Sequence, residues 1–142
     1  GDREKLRKIY RISFLFVTVS SFAIVTAAIF FSPTIVTIFT TEQHTWQLAS
    51  VGFRLFAINF LFSGINITSS GFFTALSNGK VSAIISFCRT LVFIVISLMI
   101  LPRIFGINGA WIAIPVAEFL TLLITGWMHR SYFLMPGKQN YL

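Results

Sequence analysis

The sequence predicts an all-α integral membrane protein of four transmembrane helices, on three observations. Apolar residues fill 56% of the 142 positions and charged residues 11%, where soluble proteins average roughly 45–50% (Gly included) and about 25%. Mean hydropathy is +0.84. A domain this small leaves much of its surface in water, so a soluble fold has no place to hide that much hydrocarbon, 17 phenylalanines included. Finally, the charges are spaced so as to leave long uncharged runs. A soluble enzyme, a disordered segment and a nucleic-acid module are all excluded, the last despite a net charge of +7.

Residues 1–11 form a basic connector expected at the cytoplasmic face. Seven of the chain's charges lie there: Asp2, Arg3, Glu4, Lys5, Arg7, Lys8 and Arg11. Leu6, Ile9, Tyr10 and Ser13 share one helical face among them, the pattern of an interfacial segment entering the bilayer. The 30 uncharged residues Ile12–Thr41 follow, and the 25 of Leu55–Gly79 come after them. About 20 apolar residues cross a hydrocarbon core, so each run is one span. Val81–Pro102 is apolar except for Arg89, and Ile104–His129 except for Glu118. The predicted spans are about 12–40, 54–77, 81–101 and 108–129, with a tail over 130–142.

The punctuation agrees with this division. Thr41-Glu42-Gln43-His44 is a polar link, Asn78-Gly79-Lys80 is a turn signal through residues that tolerate left-handed backbone, and Pro102 with Gly106-Ile107-Asn108-Gly109 separates the last pair. Short connections make successive helices antiparallel neighbours. With the N-terminus cytoplasmic, Arg3, Lys5, Arg7, Lys8, Arg11, Lys80, Arg130 and Lys138 lie inside and only Arg54 and Arg103 outside. That bias predicts both termini inside. Trp46, Trp111, Trp127, Tyr10 and Tyr132 fall near span ends as interfacial anchors. The start at Gly1 without Met reads as a piece of a longer protein.

Three features inside the spans carry chemical potential. Asn59, Ser63, Asn66, Ser70, Thr74 and Ser77 form one stripe at helical period along the second span. Polar groups in hydrocarbon need partners, so the stripe faces other helices or a wet cavity, and Asn59, Ser63, Asn66 and Ser70 are the candidates for lining a substrate path. Arg89 lies nine residues past Lys80 and Glu118 eleven before His129, about 13 Å and 16 Å deep from the same side. Matching depths on antiparallel neighbours allow an ion pair, with Glu118 either structural or a coupling residue. Pro33 and Pro115 lie within spans as expected kinks. His44 and His129 sit at opposite faces and share no metal, the single Cys88 has no nearby base and excludes an intrachain disulfide, and no phosphate loop or nucleophile–base pattern occurs. No catalysis, cofactor or metal is expected.

The stretch Gly71–Arg89, GFFTALSNGKVSAIISFCR, resembles the multidrug and toxic compound extrusion (MATE) family, as does Leu101–Glu118, LPRIFGINGAWIAIPVAE. That family has a Gly-(Asn/Asp)-type cytoplasmic turn, an early Arg in the next helix and Gly-x-x-Gly-x-Trp opening the last helix of a half. The basic Gly1–Arg11 segment is similar to the connector before the third helix of each half. The resemblance implies a twelve-helix transporter of two six-helix lobes, of which this chain would be the last four helices, nine to twelve. It further implies export of cationic or amphipathic drug-like compounds in exchange for protons or sodium ions, from a bacterial inner membrane. The partners would then be the lipid bilayer, the substrate and the N-terminal helices. Some members carry an acidic cation-coupling residue in the tenth helix; the helix at 54–77 has none, so the coupling ion is expected to bind in the N-terminal half of the transporter or to engage Glu118. A lipid-linked oligosaccharide flippase of the same superfamily and a stand-alone four-helix scaffold subunit are the alternatives.

Overall fold

The structure, a computed structural model, describes residues 2–134; Gly1 and residues 135–142 of the predicted tail, Lys138 among them, lie outside the described residues. Every regular element is helical: α1 (Asp2–Phe39), α2 (Gln43–Ala57), α3 (Asn59–Ala75), α4 (Gly79–Phe87), a π-helical turn (Cys88–Val92), α5 (Phe93–Phe105) and α6 (Ile107–Leu134). They make four helices long and apolar enough to cross a membrane: Arg3–Phe39, Gln43–Ala75, Gly79–Phe105 and Ile107–Tyr132.

The connector expected before the first span is the opening of the same helix. Arg, Glu, Lys and Leu are good helix formers, so α1 begins at Asp2 and runs 38 residues, about 57 Å at 1.5 Å per residue. Pro33 and Pro115 both sit inside continuous helices, α1 and α6. Each lacks the N–H that would satisfy the carbonyl one turn earlier.

The second span begins eleven residues before its expected start at 54, because Glu42 caps it. The Glu42 carboxylate accepts from the backbone N–H of His44 at 3.1 Å and of Thr45 at 2.7 Å, satisfying two of the donors that a helix start leaves unpaired. Two bonds then lash α2 to α1: Trp46 Nε1 donates to Thr37 Oγ1 at 2.9 Å, and Ser32 Oγ to the Ser50 carbonyl at 3.0 Å. Between α2 and α3 only Ile58 departs from α pairing, and Leu61 N–H reaches the Ile58 carbonyl at 3.1 Å. α2 and α3 therefore act as one span.

At the next turn the left-handed residue is Ser77 (φ 59), not Asn78 or Gly79. Asn78 N–H closes onto the Phe73 carbonyl at 2.9 Å, and the Asn78 side chain accepts from Val81 N–H at 3.3 Å as the cap of α4. Gly79 is simply the first residue of α4. The third span likewise continues through Pro102 to Phe105 and stops at Gly106, whose φ of 59 is the conformation glycine supplies without strain. Helix α6 starts at once, and Gly109 explains why it can. A Cβ there would collide with the Leu101 carbonyl oxygen, so only glycine lets α5 and α6 meet so tightly.

Helix α6 is central and touches α2, α3, α4, α5 and the π turn. Its inner face repeats every four residues as Gly109, Ala113, Ala117, Thr121, Thr125 and His129, all buried. Small residues at that spacing let helices approach closely where lipid offers no hydrophobic drive. Beside this face Trp111 covers Gly52 of α2, where a Cβ would collide with the indole. Phe16, Phe30, Ile38, Phe39 and Trp127 are exposed on the outside of the bundle, the expected inversion for a protein whose solvent is hydrocarbon. The beginnings of α1 and α4 and the ends of α3 and α6 share one end. It carries Arg3, Lys5, Arg7, Lys8, Arg11, Lys80 and Arg130 and is called the basic end below.

Candidate functional site

The polar centre of the bundle is Glu118, whose side chain is only 6% exposed. Two spans reach it. From the π turn, Arg89 Nη1 donates to Glu118 Oε1 at 3.3 Å. From α3, Asn66, fully buried, donates through Nδ2 to Glu118 Oε2 at 2.7 Å and to the Glu118 carbonyl at 2.9 Å. One carboxylate thus joins the second, third and fourth spans at a single depth. An isolated charge at mid-membrane is costly by several kcal/mol, with the figure contested; here a cation and an amide offset that cost.

The π turn is what aims Arg89. Val81, Ile85 and Ser97 are all buried, yet Ile85 and Ser97, twelve positions apart, would stand about 120° apart on an uninterrupted α-helix. A π turn absorbs one residue and reduces the offset to about 20°. Both halves of the span therefore keep the same face toward α6, with Arg89 between them. Thr90 Oγ1 covers the Ser86 carbonyl at 2.7 Å where the ladder is disturbed.

The stripe on the second span divides by function along its length. Toward the basic end it packs against α4: Ser70 Oγ is 2.8 Å from Ser82 Oγ and 3.0 Å from Ser86 Oγ, and Thr74 Oγ1 donates to Ser82 Oγ at 2.8 Å. Asn66 and Ser70, expected on a substrate path, are thus occupied in helix-to-helix contacts, because hydroxyls and amides in hydrocarbon find each other first. Toward the other end Asn59 and Ser63 are half-buried, and Asn59 Oδ1 has no hydrogen-bond partner among the described residues. Gly64 beside them seats Ser21 of α1, 2.7 Å from where a Cβ would be.

The structure brings Arg89 and Glu118 together and adds Asn66 to them. Pro115 lies one turn from Glu118 on α6, whereas Pro33 is far from it in sequence and sits beside the Ser32–Ser50 bond. Nothing in the sequence pointed to the bond between Asn66 and Glu118, since depth arithmetic was available only for adjacent spans joined by a short turn. The setting of His129 was equally hidden. It is 7% exposed and ringed by Tyr10, Phe14, Phe72 and Phe73 at centroid distances of 5.2, 5.3, 5.4 and 4.8 Å. No group of three His, Cys, Asp or Glu side chains able to hold a metal occurs among the described residues.

Four apolar spans locked by a buried charge and polar seams define a multi-pass membrane protein. The family is specific: the MatE family model matches residues 1–99, and the chain belongs to that family. MatE proteins are membrane transporters of the efflux or flippase type rather than enzymes. Arg89 and Asn66 fall within the matched stretch and Glu118 beyond it. No curated protein and no solved structure matches the chain.

Proposed function

We propose that this chain supplies the last four helices of a secondary exporter. It would move cationic or amphipathic compounds outward in exchange for protons or sodium ions, with two lobes rocking about a midplane site. The basic end is then cytoplasmic, as the Lys/Arg count favours, in a bacterial inner membrane. The partners are the preceding helices of the same transporter, the bilayer and a drug-like substrate. Asn59 and Ser63, half-buried on the stripe, face the path; Asn66 and Ser70 hold its wall.

The observation that carries the reading is the Glu118 carboxylate, buried at mid-span and shared between Asn66 and Arg89. Ionised, it ties three spans. When it takes up a proton or a cation, its hold on Arg89 weakens, and the guanidinium and the helix that carries it gain freedom to move. Coupling consists of this difference in contacts between two states. The test is dye accumulation in cells expressing the full-length protein, with the proton and sodium gradients collapsed in turn. Export should fail with one gradient, and Glu118→Gln should insert normally yet export no dye. Undiminished export by Glu118→Gln, or export indifferent to both gradients, would overturn the reading.

A further inference from the structure

We propose that the seam between α3 and α6, from His129 through Thr125 and Thr121, is the route by which a proton travels between the basic end and Glu118. The inference rests on the reading that Glu118 exchanges a proton. It is carried by where the bundle leaves buried polar atoms without partners.

Glu118, Thr121, Thr125 and His129 follow one another on α6 at steps of three, four and four residues, and all four are buried. Their side chains therefore share one face, with successive groups about 5–6 Å apart. A gap of that size is one water long. Thr125 Oγ1 and both ring nitrogens of His129 have no hydrogen-bond partner among the described residues, and neither does Asn66 Oδ1 at the far end of the seam. Packing alone does not account for these atoms. Val at 125 and Phe at 129 would fill the same space without an unpaired polar group, and unpaired buried groups are rare because they cost free energy. Thr121 spends its proton on the Ala117 carbonyl at 2.9 Å, and Ser69, facing the seam from α3, donates to the Ile65 carbonyl at 2.7 Å. Both hydroxyl oxygens keep lone pairs to accept.

The two ends suit their parts. At the entry, four aromatic rings surround the imidazole with centroids 4.8–5.4 Å away. The titratable rings there are Tyr10 on α1 and Tyr132 on α6, and the charged side chains at that end of α1, α4 and α6 are mostly basic, Arg7, Arg11, Lys80 and Arg130 among them, with Glu4 acidic. The acidic destination is Glu118, faced by Arg89 from the π turn and Asn66 from α3. A proton handed by water from the basic end to one imidazole nitrogen leaves from the other, passes along single waters that hydrogen-bond to Thr125 and Thr121, each taking one proton and releasing another, and ends on a Glu118 oxygen. Rotation of the Asn66 amide then turns Oδ1 toward the new carboxylic O–H.

The test uses the full-length protein in proteoliposomes and infrared detection of carboxyl protonation after a pH jump. The band lost in Glu118→Gln identifies Glu118. In Thr125→Val and His129→Phe that band should reach its wild-type amplitude at a rate on the order of tenfold slower, and Thr125→Ser should restore the rate. Wild-type rates in Thr125→Val would overturn the route while leaving proton exchange at Glu118 intact. No carboxyl band lost in Glu118→Gln would overturn both. Should His129→Phe fail to fold, the Thr125 pair decides alone.

Discussion

Two polar groups on the same face of α6, about 16 Å apart, are held in opposite ways. Glu118 is bonded on both oxygens, by Asn66 and Arg89. His129, buried nearly as deeply, has rings for neighbours and no hydrogen bond among the described residues. The first arrangement ties spans through charge and fails if either partner is lost. The second holds by shape, and the polar atoms at its centre contribute nothing to the packing. Burial alone therefore does not say whether a polar group is structural; its partners do.

The largest effect should come from breaking the paired site. Arg89→Ala leaves a buried carboxylate with only an amide, and removing one partner of a buried pair typically costs about 3–5 kcal/mol. The expected outcome is a large fall in folded yield and in the thermal midpoint in detergent. Exchanging the charges, Arg89→Glu with Glu118→Arg, should recover most of that loss, since the Asn66 amide can rotate to face the new cation. A double variant no better than either single one would mean the pair does not tie the spans.

Next is the far end of the same α6 face. Gly109→Ala places a methyl against the Leu101 carbonyl, and backbone cannot swing aside as a side chain can. Overpacking of that kind costs roughly 1–3 kcal/mol, read as a lowered melting midpoint with α5 and α6 still inserted. A variant as stable as the wild type would show that the two helices have room to part.

The unpaired site predicts the opposite sign. His129→Phe keeps the ring and removes two orphaned nitrogens, so it should raise the thermal midpoint, by an amount corresponding to about 1–2 kcal/mol. A loss of stability comparable to that of Arg89→Ala would mean that the imidazole is held by a partner after all, and the contrast between the two groups would vanish.

How far each part was legible in the sequence follows from the range of the signals. Four spans are legible because apolar runs and charge breaks act over 20 residues or more, and no tertiary contact can overrule them in lipid. The pairing of Arg89 with Glu118 is legible because a hairpin with a one-residue turn converts residue counts into depth. Asn66 reaches Glu118 across 52 positions, and no count links them. The π turn is equally silent, since Cys88-Arg89-Thr90-Leu91-Val92 holds no residue that breaks a helix; what demands it is the need to keep Ile85 and Ser97 on one face. At Ser77 a strong local signal, Asn78-Gly79, misplaced the turn by one residue. Asn78 serves α4 better as a cap than α3 as a left-handed terminus.

The smallest effect concerns the start of α2, where the contact is local and wet. Glu42 is fully exposed, and its carboxyl lies below its ordinary value of 4.5, first because the Thr45 side chain and backbone donate to the ionised form, with His44 N–H adding a further bond. A depressed carboxyl contributes fully above the unfolded value and loses that contribution as pH falls through the lower, folded one. Amide exchange at His44 and Thr45 should therefore become less protected only on acidification below about 4.5, while Glu42→Gln should lose this pH dependence and start from weaker protection. Because the group is exposed, the rest of the bundle should not respond. Acid-induced loosening that spreads to Asn66 or Arg89 would instead assign the titration to Glu118. The two acidic groups would then be distinguished by which span opens, α2 alone or the three that meet at α6.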